Sequence, residues 1–239
     1  MRSSDFKDFW DKKQDPSHAH SSSAWFDRYA EEIMSYIAGA KSVVDAGCGS
    51  GELLERIGKH CSNVIGIDYS QSMLDMARKR LSESGLNNVE LFCDSVTAID
   101  KYCQKKVDAV YSNGVVQYLS SDELEEFMKG CRTVLNPGGR VALLSVPNIN
   151  CRTLFLLGFY KHEEPIAFSR FLKGLPGLWW KTFSYRLRHG RRFDDGIGNW
   201  FSIQQVKQMA ERHSFNVTIY GTSIVRYNYR FHAILTMQE

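Results

Sequence analysis

Proline is scarce in this 239-residue chain, with five in all, and its six cysteines form no C-x-x-C pair and no cluster with histidine. That sets aside a disulfide scaffold and a zinc module, so reduced thiols and no metal are expected. Cys48 stands between Gly47 and Gly49, where a disulfide would fit awkwardly. No apolar run reaches the ~20 residues of a spanning helix. The opening MRSSDFKDFWDKKQD has no apolar core of the kind a secretory leader carries. A cytoplasmic protein is expected. Excess charge is also small: a net +3 does not by itself indicate a nucleic-acid partner. At this length one large domain is expected, with room for an inserted subdomain.

What the chain does have is KSVVDAGCGSGELL, from Lys41 to Leu54. Val43 and Val44 read as a short buried strand, and Leu53, Leu54 and Ile57 resume at helical spacing. Between them Asp45 precedes three glycines at alternate positions, Gly47, Gly49 and Gly51. Strand, glycine turn and helix open a nucleotide-type βα unit, whose turn needs backbone angles that side chains disfavour. A dinucleotide loop spaces its glycines G-x-G-x-x-G and sets a pyrophosphate on a helix N-terminus. Here the spacing differs, and a carboxylate in that place suits a cofactor with a cationic end. The pattern resembles motif I of class I S-adenosylmethionine (SAM)-dependent methyltransferases. The resemblance implies SAM as cofactor, with S-adenosylhomocysteine as product, and Asp45, Gly47, Gly49 and Gly51 as cofactor contacts.

Further elements follow in order. Val64, Ile65 and Ile67 form a second strand ending in Asp68, placed to grip a ribose diol; Tyr69 and Met73 are expected against adenine. Ser70 or Ser72 can cap the next helix, Met73 to Ser82. Val89 to Cys93 is a third strand, followed by Asp94-Ser95. The resemblance sets Asp94, with Ser95 beside it, against the adenine amine, while the residues alone equally allow Asp94 as the N-cap of a short helix. Val107 to Asn113 is a fourth strand, after which Asn113 and Gln117 are expected at the cofactor edge and Tyr118 at the substrate. Neither amide can act as a strong base. A helix from Ser121 to Leu135 stops at Asn136-Pro137-Gly138-Gly139, and a fifth strand runs from Arg140 to Val146. A helix from Phe201-Ser202 to His213 and strands over Asn216–Tyr220 and Arg230–Leu235 complete the alternation.

The fold class expected is α/β: a Rossmann-like, seven-stranded, mostly parallel sheet with helices on both faces. It would carry an N-terminal helical cap (1–39), a SAM-binding core (40–148), an inserted α-helical lid after strand 5 (149–200) and the end of the core (201–239). The aromatics of the N-terminal segment either fold over the cofactor or dock a terminal helix on the core.

Residues 151–200 hold 11 of the 30 aromatics and a net charge of +5, which leaves −2 for the rest. An insert after the fifth strand lies at the carboxyl edge, where loops build binding sites. Three readings stand: a basic lid for an anionic small molecule, with Arg191 and Arg192 as substrate contacts; a peripheral membrane contact meeting a lipid-linked acceptor; or a helical cap packing its own small core, in a monomer or at the interface of a homodimer. Nucleic acid ranks below all three.

Methyl transfer from a sulfonium needs alignment above all, and a hydroxyl acceptor also benefits from a base. His162 and then His18 or His20 are the expected catalytic histidines, with His213 and His232 structural. The function expected is O-methylation of a sugar, polysaccharide precursor or other metabolite with an anionic group. The alternatives are a lipid-linked or membrane-surface acceptor, or a non-catalytic methyltransferase-like binding protein; a dehydrogenase is disfavoured by the glycine spacing.

Overall fold

The computed structural model describes residues 23–157, 160, 174, 176, 177, 179, 180, 183–185, 187, 188, 196–222 and 228–238. The strands are β1 (Ser42–Ala46), β2 (Asn63–Asp68), β3 (Val89–Cys93), β4 (Val107–Asn113), β5 (Leu135–Pro147), β6 (Phe215–Gly221) and β7 (Arg230–Met237). They make one sheet in the order β3-β2-β1-β4-β5-β7-β6. The first five run parallel, while β7 enters antiparallel between β5 and β6. The mostly parallel seven-stranded α/β fold is therefore as expected, with the late strands forming a hairpin whose second arm is the inner one.

The period of two along the strands divides the core. On β5, Val141 and Leu143 join one apolar cluster and Ala142 and Leu144 the other. Helices α1 (Ser23–Tyr36), α2 (Glu52–Gly58) and α3 (Gln71–Glu83) cover one face, with Ile33, Leu54 and Leu74 fully buried. Helix α4 (Ser121–Val134) brings Leu124, Phe127 and Met128 to the other. Its start is fixed by a capping box between Ser120 and Glu123. Between Pro147 and Ile203 the described residues include α5 (Arg152–Leu156), and α6 (Ile203–Arg212) follows under a second capping box, Ser202 with Gln205.

The start of the fifth strand differs from the sequence reading. The fifth strand begins at Leu135, which pairs with Val107; Asn136 to Gly139 then loop out before Arg140 pairs with Ala109. The Pro-Gly-Gly turn interrupts the strand instead of preceding it, because Leu135 is buried and already on the ladder. The N-terminal aromatics also resolve in part: Phe26 and Tyr29 of α1 are buried with Ala30 and Ile33, so this helix docks on the sheet.

The chain leaves the sheet after Pro147 and rejoins it at Phe201. Phe201 donates its N–H to Pro147 O (2.9 Å) and accepts from the Ile149 N–H (3.0 Å), beside a bridge to Asn148. Exit and return are thus joined at the carboxyl end of β5. Phe155, Trp200 and Tyr229 pack ring against ring there, with centroids 4.8 to 5.8 Å apart. Among the described residues no helix is long and apolar enough to cross a membrane.

Candidate active site

The ends of β1, β2, β4 and β5 meet at one edge. β1 delivers Asp45, which is 2 % exposed. Its Oδ2 accepts from the hydroxyl of Tyr111, a fully buried residue of β4, at 2.8 Å. Burial pushes the Asp45 carboxyl up to about 8; the Tyr111 hydrogen bond opposes that rise and the nearby Asp68 adds to it. The acid that the sequence presents as a fixed anion is therefore largely protonated at neutral pH until a cation comes beside it. Burial also drives the Tyr111 phenol and the Cys48 thiol well up, with Asp45 adding to both.

The glycine turn leaves β1 hydrogen-bonded to the end of β2, with Gly47 and Cys48 N–H both donating to Ile67 O. Gly47, Gly49 and Gly51 all have left-handed φ. A Cβ on Gly47 would stand 2.1 Å from Val115 Cγ2, so this glycine answers to packing. A Cβ on Gly49 would meet nothing within 4 Å, so its backbone borders open space that a ligand can enter. Below the turn, Arg80 of α3 donates to Ser50 O and to Glu52, each at 3.0 Å.

Asp68, 8 % exposed, closes the turn: Oδ2 accepts from Gly49 N–H at 2.8 Å and Oδ1 from Ser70 N–H at 2.9 Å. Ser70, not Ser72, caps α3 through Met73 N–H. Met73 is buried and Tyr69 half-buried. The next acid departs from one alternative: Ser95, not Asp94, is the N-cap of the short 3-10 helix Val96–Lys101. Asp94 accepts from Tyr102 Oη (2.8 Å) and Ser95 N–H (2.7 Å), with Lys101 at 3.4 Å; the Tyr102 bond first, then Ser95, hold its carboxyl below the usual range.

At the far side, Gln117 is 9 % exposed, and its amide donates to Gly114 O and accepts from Arg230 at 2.9 Å. Those bonds hold it in the wall of the site, while Tyr118 is half-buried. Asn113 Oδ1 accepts from Tyr29 Oη at 2.8 Å, and the same hydroxyl lies 3.0 Å from Ser145 Oγ. Ser145 has φ +57 inside β5, where pairing with β7 shifts register. Its N–H donates to Nδ1 of His232 (3.0 Å) and its carbonyl accepts from Arg230 (2.7 Å). A non-glycine residue held left-handed at a strand end is a mark of functional sites. The sequence reading did not single out Tyr29, Ser145, Arg230, Arg80 or Tyr111 for the site. Tyr111 alone carried a signal, a phenol inside an apolar strand that needs a buried partner. His232 is structural, as expected: 1 % exposed, accepting at Nδ1, its pKa lowered by burial against the opposing charge of Glu32.

Four expected site residues, His18, His162, Arg191 and Arg192, lie outside the described residues, as does His20. All six cysteines are free, and among the described residues no group of His, Cys, Asp and Glu could hold a metal.

A family model described as a methyltransferase domain matches residues 43–139, the span that carries Asp45, the glycine turn, Asp68 and Gln117. That span is similar to a methyltransferase domain, and the fold is the one seen in class I SAM-dependent methyltransferases. A SAM-dependent methyltransferase from Clostridium acetobutylicum superposes with TM-score 0.64 over 99 % of each chain at 14 % identity. Magnesium protoporphyrin IX methyltransferase from Synechocystis, solved with bound S-adenosylhomocysteine, gives 0.63 over 99 % of each at 16 %. In sequence, a ubiquinone biosynthesis O-methyltransferase of Coxiella burnetii is 29 % identical over 101 residues, 42 % of each chain. The counterpart in Actinobacillus pleuropneumoniae is 34 % identical over 105 residues, 41 % of this chain and 43 % of that one. The chain thus spans about half the length, or less, of the curated relatives it matches. SAM is the cofactor of this domain class, and the open space over Gly49 beside two buried acids fits such a group.

Proposed function

We propose that the chain is a SAM-dependent methyltransferase that O-methylates a small molecule carrying an anionic group, such as a sugar or polysaccharide precursor. The observation that carries the reading is the pair of buried acids flanking the open backbone at Gly49. In this proposal Asp45 meets the donor's ammonium and Asp68 the ribose, with Tyr69, Met73, Asp94 and Ser95 near adenine. Bound SAM supplies a methyl group already activated on sulfur. The chain's own residues then orient the acceptor and exclude water.

Among the described residues at this edge, none is poised as a base. Burial raises the Tyr29 pKa and keeps its phenol protonated, Asn113 and Gln117 are amides, and the ring nitrogen of His232 that accepts is already bonded to Ser145. His162 and His18 remain the proposed bases, and residues 149–200 the proposed lid with Arg191, Arg192 and Tyr118 on the substrate. The names of the curated relatives support transfer to oxygen. A radiolabelled-methyl assay across sugar nucleotides and other anionic metabolites, with binding of S-adenosylhomocysteine by calorimetry, tests the reading. Binding that survives both Asp68→Ala and Gly49→Val would refute the donor site, and transfer only to uncharged acceptors would refute the substrate class.

A further inference from the structure

We propose that the stretch from 174 to 188 is a docking surface for an anionic lipid bilayer and lies in the headgroup plane. It is helical at every described position. Trp179 (63 %), Trp180 (64 %), Phe183 (41 %) and Leu187 (70 %) are exposed; among the described residues the other large hydrophobic exposed to this degree is Tyr220 on β6. The rings of Trp179 and Phe183 lie parallel, 5.2 Å apart and 4° from coplanar, and form one flat apolar blade.

Charge decides the occupant. From Lys173 to Arg188 the sequence has four Lys/Arg and no Asp or Glu, while the chain outside 151–200 is net negative. A second copy seated symmetrically on this blade would bring two such cationic segments together. Nucleic acid satisfies the cations but offers no stacking partner for Leu187. An anionic bilayer satisfies both: indoles and phenyl at the acyl boundary, cations among the phosphates. The surface is joined to the site, because a Cβ on Gly174 would lie 3.0 Å from Leu157 at the end of α5, next to the neck at Asn148 and Phe201. Docking would hold the acceptor entrance at the membrane surface.

The test is flotation of the full chain with vesicles of phosphatidylcholine containing 30 % phosphatidylglycerol, against pure phosphatidylcholine. Expected is at least about tenfold more bound protein on the anionic vesicles, reversed by 0.5 M salt. The triple substitution Trp179→Ser, Trp180→Ser and Phe183→Ser should reduce binding about tenfold or more, with affinity for S-adenosylhomocysteine unchanged as the check on folding. Equal flotation of the triple variant, or no flotation of the wild type, overturns the proposal. So does a dimer in light scattering that the triple variant loses while vesicles bind neither protein. Loss of S-adenosylhomocysteine binding in the wild type would instead refute the donor site and leave this surface standing.

Discussion

If Asp45 meets the donor's ammonium, as proposed, its raised carboxyl makes donor binding a proton-linked event. Burial places its pKa at about 8 in the free chain. At pH 7 such a group is ionised in about 9 % of molecules. A ligand whose ammonium requires the carboxylate then binds about elevenfold below its intrinsic affinity, or about 1.4 kcal/mol. S-adenosylhomocysteine is the useful probe, since its amino-acid ammonium stays charged through this range. Its apparent Kd should fall about ninefold from pH 6 to 7, and about fivefold from pH 7 to 8. Calorimetry at pH 7 in phosphate and in Tris should report release of about 0.9 proton per ligand bound. Asp45→Asn should bind more weakly with no proton release. The free chain should show the converse. The folded pKa exceeds that of an unfolded aspartate, so stability is greatest below about pH 4 in this contribution and is lost as pH rises to about 8, by at most ~1.4 kcal/mol per unit. Saturating S-adenosylhomocysteine should offset that loss. A flat affinity between pH 6 and 8 without proton release would mean that Asp45 is already ionised, and the argument from burial would fail.

Gly49→Val should abolish detectable binding of S-adenosylhomocysteine while costing about 1–2 kcal/mol in urea unfolding, since its Cβ enters the ligand space at a left-handed φ. Gly47→Ala should unfold at lower urea than Gly49→Ala, because its Cβ meets Val115 at 2.1 Å. Tyr29→Phe removes a buried hydroxyl between Asn113 and Ser145 and should cost about 1–3 kcal/mol, with any loss of turnover following in kcat more than in the donor's KM. His232 has a pKa lowered by burial, so its contribution is intact above about pH 6.5 and is lost as pH falls through the folded value; a thermal-shift series should show that acid-side loss reduced in His232→Gln.

The strands and the glycine turn were legible because each rests on local chemistry. Valines before Asp45, an acid at the end of Val64–Ile67 and glycines at 47, 49 and 51 encode their own turn and burial. What stayed hidden depends on partners far apart in sequence. Ser145 gives no local sign that it turns left-handed, since the device includes His232 from β7 and Tyr29 from α1. Arg80 reads as any helix-face cation until α3 brings it beneath Ser50. Likewise the spacing of Phe26 and Tyr29 fits a lid or a core equally well, and only the sheet beneath α1 decides. The pairing of Leu135 with Val107 escaped for the same reason: Pro-Gly-Gly announces a turn but not what the chain joins on either side.

The joined exit and return at Asn148 and Phe201 give the roughly fifty residues between them the standing of a cassette. Since their ends are clamped to one another regardless of what hangs from them, lengthening or exchanging that cassette costs little in loop closure. On the proposed reading, acceptor choice could drift through this graft point while the residues proposed to grip the methyl donor stay untouched.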